Sequence, residues 1–369
     1  MKGDAGKGRA MECTGFESED GMTNQGRMRI GIRADGNETI GMGHLMRCMS
    51  IAAALQMQGA ECIFFTADRE AGKYVEEKGF ACLVLESDYR SMEQELFRLE
   101  AFLEEYKISL LLADSYQITQ TYLDALMRHC PVYYMDDMGV CRLRATGLIN
   151  YNIYAGDLDY ENWDSGQMQL LLGAAYAPVK AQFTEVPYRV RSEVKTLLIT
   201  MGGSDALNIA GQLGELLLQV LPERIRMQII CGRFNPHLEQ LKKLEQSDNR
   251  VHICVDVQDM WNQMQEADIA VSAAGSTLYE LCAMGVPTVC CYYVENQRRI
   301  AEGFAGQVGM ANGGDFSKNP EQVLQAMVRE TCKLEASLQA REELSQRMKR
   351  VTDGKGAQLI AKALLSQRL

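Results

Sequence analysis

Short apolar runs alternate with amphipathic stretches along the first half of the chain. The runs lie at 28–34, 62–67, 82–86, 109–114 and 132–136, and stretches with helical spacing such as 91–106 separate them. Continuous apolar runs of this length predict strands buried on both faces, and strands that alternate with helices predict a parallel sheet. The first half therefore predicts a doubly wound α/β domain.

The same alternation begins again in the second half, with apolar runs at 196–203, 226–232, 250–255, 267–275 and 287–293. Between the halves, residues 151–194 break the rhythm. We therefore expect two Rossmann-like domains that face each other across a cleft, at 28–185 and 190–350. A C-terminal helix is predicted at 351–369, and the polar, Gly-rich residues 1–27 are expected to be a disordered extension.

Composition excludes several classes of partner. The 369 residues carry a formal net charge of −11, so the surface lacks the basic character of a nucleic-acid-binding protein. No apolar stretch approaches the roughly 20 residues that span a bilayer, and residues 1–27 lack the apolar core of a signal peptide. We expect a cytoplasmic protein with no membrane partner, and a monomer because the helices are rich in charge.

The twelve cysteines do not indicate a metal or disulfide framework. They are spread along the chain with no C-x-x-C pair and no histidine at ligand spacing, and most lie inside apolar runs. We interpret them as reduced core residues. Asp136 and Asp137 resemble a metal pair, but adjacent strand residues point to opposite faces, so we predict no metal.

One of only four histidines, His44, follows the Gly-rich turn "GMG" at 41–43 and precedes a long apolar run. The turn is not a dinucleotide fingerprint because position 46 is Met rather than the third Gly, so no dinucleotide cofactor is expected. At the N-terminus of a helix, the dipole favours a neutral imidazole that can act as a general base. The alternative is a histidine that only caps or packs the helix.

Three polar clusters of the second half each follow a predicted strand. Gly202 and Gly203 open a turn into a helix, and Ser276, Thr277 and Glu280 open another after the small residues 272–275. Helix N-termini and Gly-rich turns offer backbone N–H groups to phosphate, and Glu280 could accept hydrogen bonds from ribose hydroxyls. The alternatives are a plain tight turn, an N-cap serine and a surface glutamate. Residues 295–297 form the third cluster at the same sheet edge.

Together these motifs resemble a known family. "SAAGSTLYE", "GVPTV" and "ENQ" are similar to the donor-binding half of GT-B glycosyltransferases. "IRADGNETIGMGHLMRC", "LLADSY", "LLGAAYAPVK" and "MGGSD" narrow the resemblance to the UDP-2,4-diacetamido-2,4,6-trideoxy-β-L-altropyranose hydrolases of pseudaminic acid synthesis and their spore-coat polysaccharide relatives. The resemblance covers about residues 28–350, and Met42 departs from the Gly or Ser expected there.

The resemblance implies a GT-B fold and hydrolysis of a UDP-linked sugar at the anomeric carbon with inversion, with His44 as the catalytic base. It implies that UDP lies on the second domain, against Gly202, Gly203, Val255, Ser276, Thr277 and Glu280. It further implies a sugar site made by Arg33, Asp35, Gly43, Tyr116, Asn296 and Gln297. Two alternatives stay open: Asp35 orients His44 instead of contacting the sugar, and Asp114 only caps the next helix.

Two other functions remain open at this point. A GT-B glycosyltransferase would use the same site with an acceptor hydroxyl in place of water. A non-catalytic nucleotide-sugar-binding protein would keep the second domain and have lost the chemistry of the first. The small-molecule partner in all three cases is a nucleotide sugar.

Overall fold

In the computed structural model, two parallel sheets form the frame of the chain. The structure describes residues 27–367 except 38, 141, 164–165, 186–187, 233–234 and 258. The expected disorder of the N-terminal extension thus falls almost wholly outside the described residues. The prediction of two doubly wound α/β domains is confirmed, because all paired strands in both sheets are parallel and helices connect most of them.

The first sheet has seven strands in the order β3-β2-β1-β4-β5-β6-β7. These are β1 (Arg29–Ala34), β2 (Glu61–Thr66), β3 (Ala81–Val84), β4 (Leu110–Asp114), β5 (Val132–Met135), β6 (Gly147–Asn150) and β7 (Gln169–Leu172). The helices of this half are α1 (Gly43–Met57), α2 (Arg69–Glu77), α3 (Leu96–Glu105), α4 (Gln120–Leu126) and the short α5 (Gln182–Glu185).

The second sheet has six strands in the order β10-β9-β8-β11-β12-β13. These are β8 (Thr196–Thr200), β9 (Arg226–Cys231), β10 (Val251–Val255), β11 (Ile269–Ala273), β12 (Thr288–Tyr292) and β13 (Ala311–Asp315). Its helices are α6 (Ile209–Val220), α7 (Leu238–Ser247), α8 (Met260–Glu266), α9 (Thr277–Met284), α10 (Glu295–Val308), α11 (Pro320–Ala336) and α12 (Leu338–Lys349). The last helix is α13 (Gly356–Leu365).

The strand order places one switch point in the interior of each sheet. In each sheet the chain starts in the middle, moves outward to one edge, and then returns to the other side of its first strand. The reversal lies between β1 and β4 in the first sheet and between β8 and β11 in the second. Ligands of such sheets bind beside the reversal at the carboxyl ends of the strands, so the topology selects those two edges.

The last helix returns to the first domain. Gln58, just after α1, donates its side-chain N–H to the carbonyl of Gln358 in α13. At Gly356 a side chain would collide with the backbone of Tyr176 and Ala177, so only glycine allows α13 to approach that segment. No helix among the described residues is both long and apolar enough to cross a bilayer.

Candidate functional site

His44 lies in the first turn of α1, at the carboxyl edge of the first sheet, and is only 6% exposed. Its Nδ1 lies 2.6 Å from Oδ1 of Asp114, the last residue of β4. Strands β1 and β4 are neighbours, and Asp114 pairs in register with Ala34 at the end of β1. The switch point of the first sheet therefore joins the histidine to a buried carboxylate.

Arg47 holds that carboxylate from the other side. One turn after His44 on the same face of α1, its Nε and Nη2 each donate to Asp114 at 2.6 Å. Its Nη1 donates to both carboxylate oxygens of Asp137 at 2.9 Å and to the Tyr151 hydroxyl at 3.1 Å. The guanidinium thus links the ends of β4 and β5 in one charge-paired cluster.

The ionisation of Asp114 determines the tautomer of His44. Burial alone would raise the pKa of Asp114, but the charge of Arg47 and the neighbouring His44 ring hold that pKa well below its ordinary value. An ionised carboxylate only accepts hydrogen bonds, so Nδ1 of His44 must carry the proton that it shares with Asp114. Nε2 of the neutral ring then keeps its lone pair, and no described residue bonds it.

Tyr116 covers the exposed side of the histidine. Its ring meets the His44 ring edge to face with centroids 4.7 Å apart, and its hydroxyl donates to Asp137 at 2.9 Å. Tyr116 is itself 50% exposed, so its ring borders both the cluster and solvent. Of the residues expected to contact sugar in the first domain, Tyr116 and Gly43 are the two that the structure places beside His44 at an accessible surface.

Arg33 and Asp35 need a correction. Arg33 is fully buried, with Nε and Nη2 bonded to Glu95 at 2.6 and 2.9 Å and Nη1 bonded to Asp35 at 2.5 Å. The other oxygen of Asp35 accepts the backbone N–H of Ala67 at 2.7 Å. Both side chains are committed to this interior network, and the carboxylate that bonds His44 belongs to Asp114 and not to Asp35.

The adjacent carboxylates that follow β5 face different partners. Asp136 accepts the backbone N–H groups of Met138 and Gly139 and the Tyr160 hydroxyl. Asp137 instead accepts Arg47 and Tyr116. Among the described residues, no group of three or more metal-ligating side chains comes together.

In the second domain, the Gly-rich loop after β8 is shaped by glycine. Gly202 has φ of +83°, a conformation that side chains disfavour, and both Gly202 and Gly203 are exposed. The carbonyl of Gly203 accepts the N–H of Gly232, and a Cβ at position 232 would overlap that carbonyl oxygen. The loop is therefore held against the end of β9, and its two glycines remain exposed.

The N-terminus of α6 after this loop is already occupied. The carboxylate of Asp205, 2% exposed, accepts the N–H groups of Ile209 at 2.8 Å and Ala210 at 2.9 Å. A bound anion would compete with this carboxylate. The first turn of α6 is therefore a poor anion site, and the neighbouring α9 is the better one.

At the N-terminus of α9, by contrast, no described side chain caps the backbone N–H groups. Ser276 is its N-cap residue and is exposed, and its hydroxyl makes no capping hydrogen bond. The backbone N–H groups of Ser276 and Thr277 bond no described residue. Glu280, one turn on, is partly buried without a hydrogen-bond partner among the described residues. Burial raises its pKa to about 7, with Lys180 opposing the change.

The remaining predicted contacts lie at the same edge. Asn296, in the first turn of α10, is exposed, whereas the side-chain oxygen of Gln297 accepts the backbone N–H of Tyr293 at 3.2 Å. Val255 ends β10 and is 40% exposed. The predicted nucleotide residues therefore lie at the carboxyl edge of the second sheet together with the two predicted sugar residues of this domain, of which Gln297 is partly engaged by the backbone.

Sequence reasoning missed Arg47 and Asp137, which organise the first-domain cluster. The signal was present for Arg47, since an arginine three residues after a histidine shares its helix face. Asp137 follows β5, which pairs with β4, so the two aspartates end at one edge. Asn152 and Tyr151, which extend the cluster, lie in the segment where the apolar pattern was interrupted.

The family comparison and the structural comparison cover different parts of the chain. The sequence model of the glycosyltransferase family 28 C-terminal domain matches residues 196–358. MurG of Acinetobacter baumannii has the same fold over most of the chain, with a TM-score of 0.67 at 15% identity, covering 92% of this chain and all of that one.

Two relatives are similar over most of the sequence. The spore coat polysaccharide biosynthesis protein SpsG of Bacillus subtilis is 25% identical over 89% of this chain and 95% of its own. The UDP-2,4-diacetamido-2,4,6-trideoxy-β-L-altropyranose hydrolase of Campylobacter jejuni is 24% identical over 74% of this chain and 95% of its own. The chain thus has the GT-B fold, its residues 196–358 match the glycosyltransferase family 28 C-terminal domain, and it is similar to that hydrolase and to SpsG over most of its length.

Proposed function

We propose that the protein hydrolyses a UDP-linked 2,4-diacetamido-2,4,6-trideoxyhexose at its anomeric C–O bond with inversion, releasing UDP and the free sugar for nonulosonic (pseudaminic-type) acid synthesis. The observation that carries the proposal is the bond between His44 and the ionised Asp114, which leaves Nε2 as a proton acceptor. The similarity to the Campylobacter jejuni hydrolase supports the substrate class.

The proposed step requires one base. Nε2 of His44 removes a proton from water as the water oxygen bonds the anomeric carbon, and the C–O bond to UDP breaks with its electron pair on the phosphate oxygen. Asp114 remains ionised and stabilises the imidazolium that forms. UDP is a good leaving group, so its oxygen needs no protonation. Attack from the face opposite UDP inverts the anomeric centre.

The second domain would hold the leaving group. The free N–H groups of Ser276 and Thr277 stabilise the charge that develops on the diphosphate, and the exposed backbone of Gly202 and Gly203 allows close approach. The carboxylate of Glu280 accepts hydrogen bonds from the ribose hydroxyls. Asn296 and Tyr116 are assigned to the sugar from opposite sides of the cleft.

Release of UDP from the UDP-sugar without any acceptor is the direct test. Wild-type protein should release UDP, and in ¹⁸O-labelled water the label should appear in the sugar and not in UDP. His44→Gln should lose at least a hundredfold in kcat and keep its UDP affinity. His129→Gln is the matched control, because His129 contacts only Glu100 and Glu104 among the described charged side chains.

A GT-B glycosyltransferase is the second candidate, favoured by the family 28 match of the C-terminal domain. It predicts no UDP release until an acceptor sugar is added. If the protein binds UDP but releases no UDP from the UDP-sugar, with or without an acceptor sugar, it is instead a non-catalytic nucleotide-sugar-binding protein. Each result excludes the hydrolase.

A further inference from the structure

A buried tyrosine joins the two halves of the proposed site. Tyr279 belongs to α9, directly before Glu280, and is 1% exposed. Its hydroxyl accepts the backbone N–H of Ile153 at 3.0 Å and donates to Oδ1 of Asn152 at 3.4 Å. Both partners follow β6 of the first sheet, so this hydroxyl crosses the domain boundary.

From Asn152 the contacts continue to the catalytic cluster. The Asn152 side-chain N–H donates to Oδ1 of Asp137 at 3.3 Å, and Asp137 accepts both Arg47 and Tyr116. Asn152 is 2% exposed, and its side chain is also held by Asn150 at 2.9 Å. The path from α9 to the guanidinium therefore consists of hydrogen bonds of 2.9 to 3.4 Å between buried or largely buried groups.

A second path runs through aromatic rings. The Tyr279 ring meets the Tyr151 ring edge to face at 5.4 Å, and the Tyr151 hydroxyl accepts Nη1 of Arg47 at 3.1 Å. On its other side the Tyr279 ring packs on Phe304 of α10 at 5.2 Å. Two independent routes thus connect one side chain of α9 with Arg47.

We propose that Tyr279 is a positioning residue that couples occupancy of the α9 N-terminus by a nucleoside diphosphate to the geometry of His44. A diphosphate held by Ser276 and Thr277 fixes the first turn of α9. Through its hydroxyl, Tyr279 then fixes residues 152–153, and with them Asp137 and Arg47. This inference rests on the proposed function for the identity of the ligand and adds the residue that links its two halves.

The test compares the wild type with Tyr279→Phe, which keeps the ring and removes the hydroxyl. The variant should bind UDP within about twofold of the wild type, whereas kcat should fall about tenfold, within the range of typical coupling between sites. A change confined to kcat is not expected from general loosening of the nucleotide site.

A readout independent of turnover is the NMR signal of the His44 ring, which is assigned by its absence in His44→Gln. UDP should change the chemical shift of the His44 ring in the wild type, and Tyr279→Phe should remove at least half of that shift. Tyr188→Phe is the matched control, because its buried hydroxyl bonds the Ala267 carbonyl at 3.1 Å away from the cluster. Tyr188→Phe should lower the melting temperature about as much as Tyr279→Phe does. It should keep the wild-type kcat and the wild-type UDP-induced shift of His44.

The outcomes separate the two proposals. An equal UDP-induced shift in Tyr279→Phe and the wild type, or an unchanged kcat, overturns the coupling while UDP release by the wild type still upholds the hydrolase. UDP binding and a Tyr279-dependent shift without hydrolysis uphold the coupling and overturn the hydrolase. Absence of UDP binding by the wild type overturns both.

Discussion

Asp114→Asn isolates the role of the carboxylate in the first-domain cluster, which is proposed to be catalytic. Asp114 accepts His44 at 2.6 Å, Arg47 twice at 2.6 Å, and the Cys48 thiol at 3.4 Å. The amide has the same shape but replaces one accepting oxygen with an N–H₂ group, which faces donors. The substitution therefore removes the charge and turns one hydrogen-bond acceptor into a donor, without creating a cavity.

The expected rate loss is larger than the expected loss of binding. Without the ionised partner, Nδ1 of His44 is no longer required to carry the proton, and the imidazolium formed on attack loses its counter-charge. Loss of effective general-base catalysis is worth about 10²–10⁴ in kcat. UDP affinity should stay within about twofold, because Asp114 lies in the first domain and the predicted nucleotide residues lie in the second.

Stability should fall as well. Breaking a buried charge pair costs about 3–5 kcal/mol, and the lower end applies because Arg47 keeps both bonds to Asp137. The folded-state pKa of Asp114 lies below its ordinary value, so its stabilisation is complete above the ordinary pKa of about 4 and is lost as pH falls. The difference in unfolding free energy between variant and wild type should be full at pH 7 and shrink below about pH 4.

The assay measures UDP release against pH together with denaturant unfolding. Asp268→Asn is the control, since Asp268 is a buried partner of Arg191 at 2.7 Å in the second domain and should lose stability with no change in kcat. If Asp114→Asn kept kcat within threefold of the wild type while His44→Gln was inactive, the orienting role of Asp114 would be refuted.

Substitutions at three further positions test the nucleotide half. Because burial raises the pKa of Glu280 to about 7, wild-type stability should decline between about pH 4.5 and 7. In denaturant unfolding, Glu280→Gln should therefore gain about 3 kcal/mol relative to the wild type between pH 4 and pH 8. UDP affinity measured by calorimetry should rise with pH through 7 in the wild type and be flat in this variant. Ser276→Asp should raise the melting temperature slightly by complementing the α9 dipole and weaken UDP binding at least tenfold by repelling the diphosphate, whereas Ser276→Ala should leave the melting temperature unchanged. Gly232→Ala should displace the Gly203 loop and weaken UDP binding, and unchanged affinity would show that the loop does not approach the phosphates.

Most of the fold was predictable because its strands are buried. Ten apolar runs match ten of the strands, and the helix predicted to begin at His44 is found as α1, Gly43–Met57. Strands β6 and β7 were missed within or just before the irregular segment. Strand β13 reads "ANGGD" and has no apolar signal; its Gly313 is needed because a side chain would collide with Met327 and Val323 of α11. Packing, and not strand propensity, determines that strand.

The position of the candidate site was predictable from the sequence, whereas the hydrogen-bond partners of its residues were less so. The rule that ligands bind at the carboxyl ends of strands placed His44 and Ser276 correctly at the two sheet edges. Which carboxylate would bond His44 depended on the strand order, because Asp114 is 70 residues from His44 in sequence and becomes its neighbour only when β4 pairs with β1. Arg33 illustrates the converse, since a charged residue beside a site in sequence can be wholly buried behind it.

The return of α13 to the first domain means that the chain crosses between the domains twice. One crossing follows α5 and the other lies between α12 and α13, near Gly354 with its φ of +75°. A body tethered at one point can bend and twist freely, whereas one tethered at two points turns only about the line that joins them. Any relative rotation of the two domains would therefore be about the line that joins these two crossings, and it would move His44 and the α9 N-terminus relative to each other along one arc.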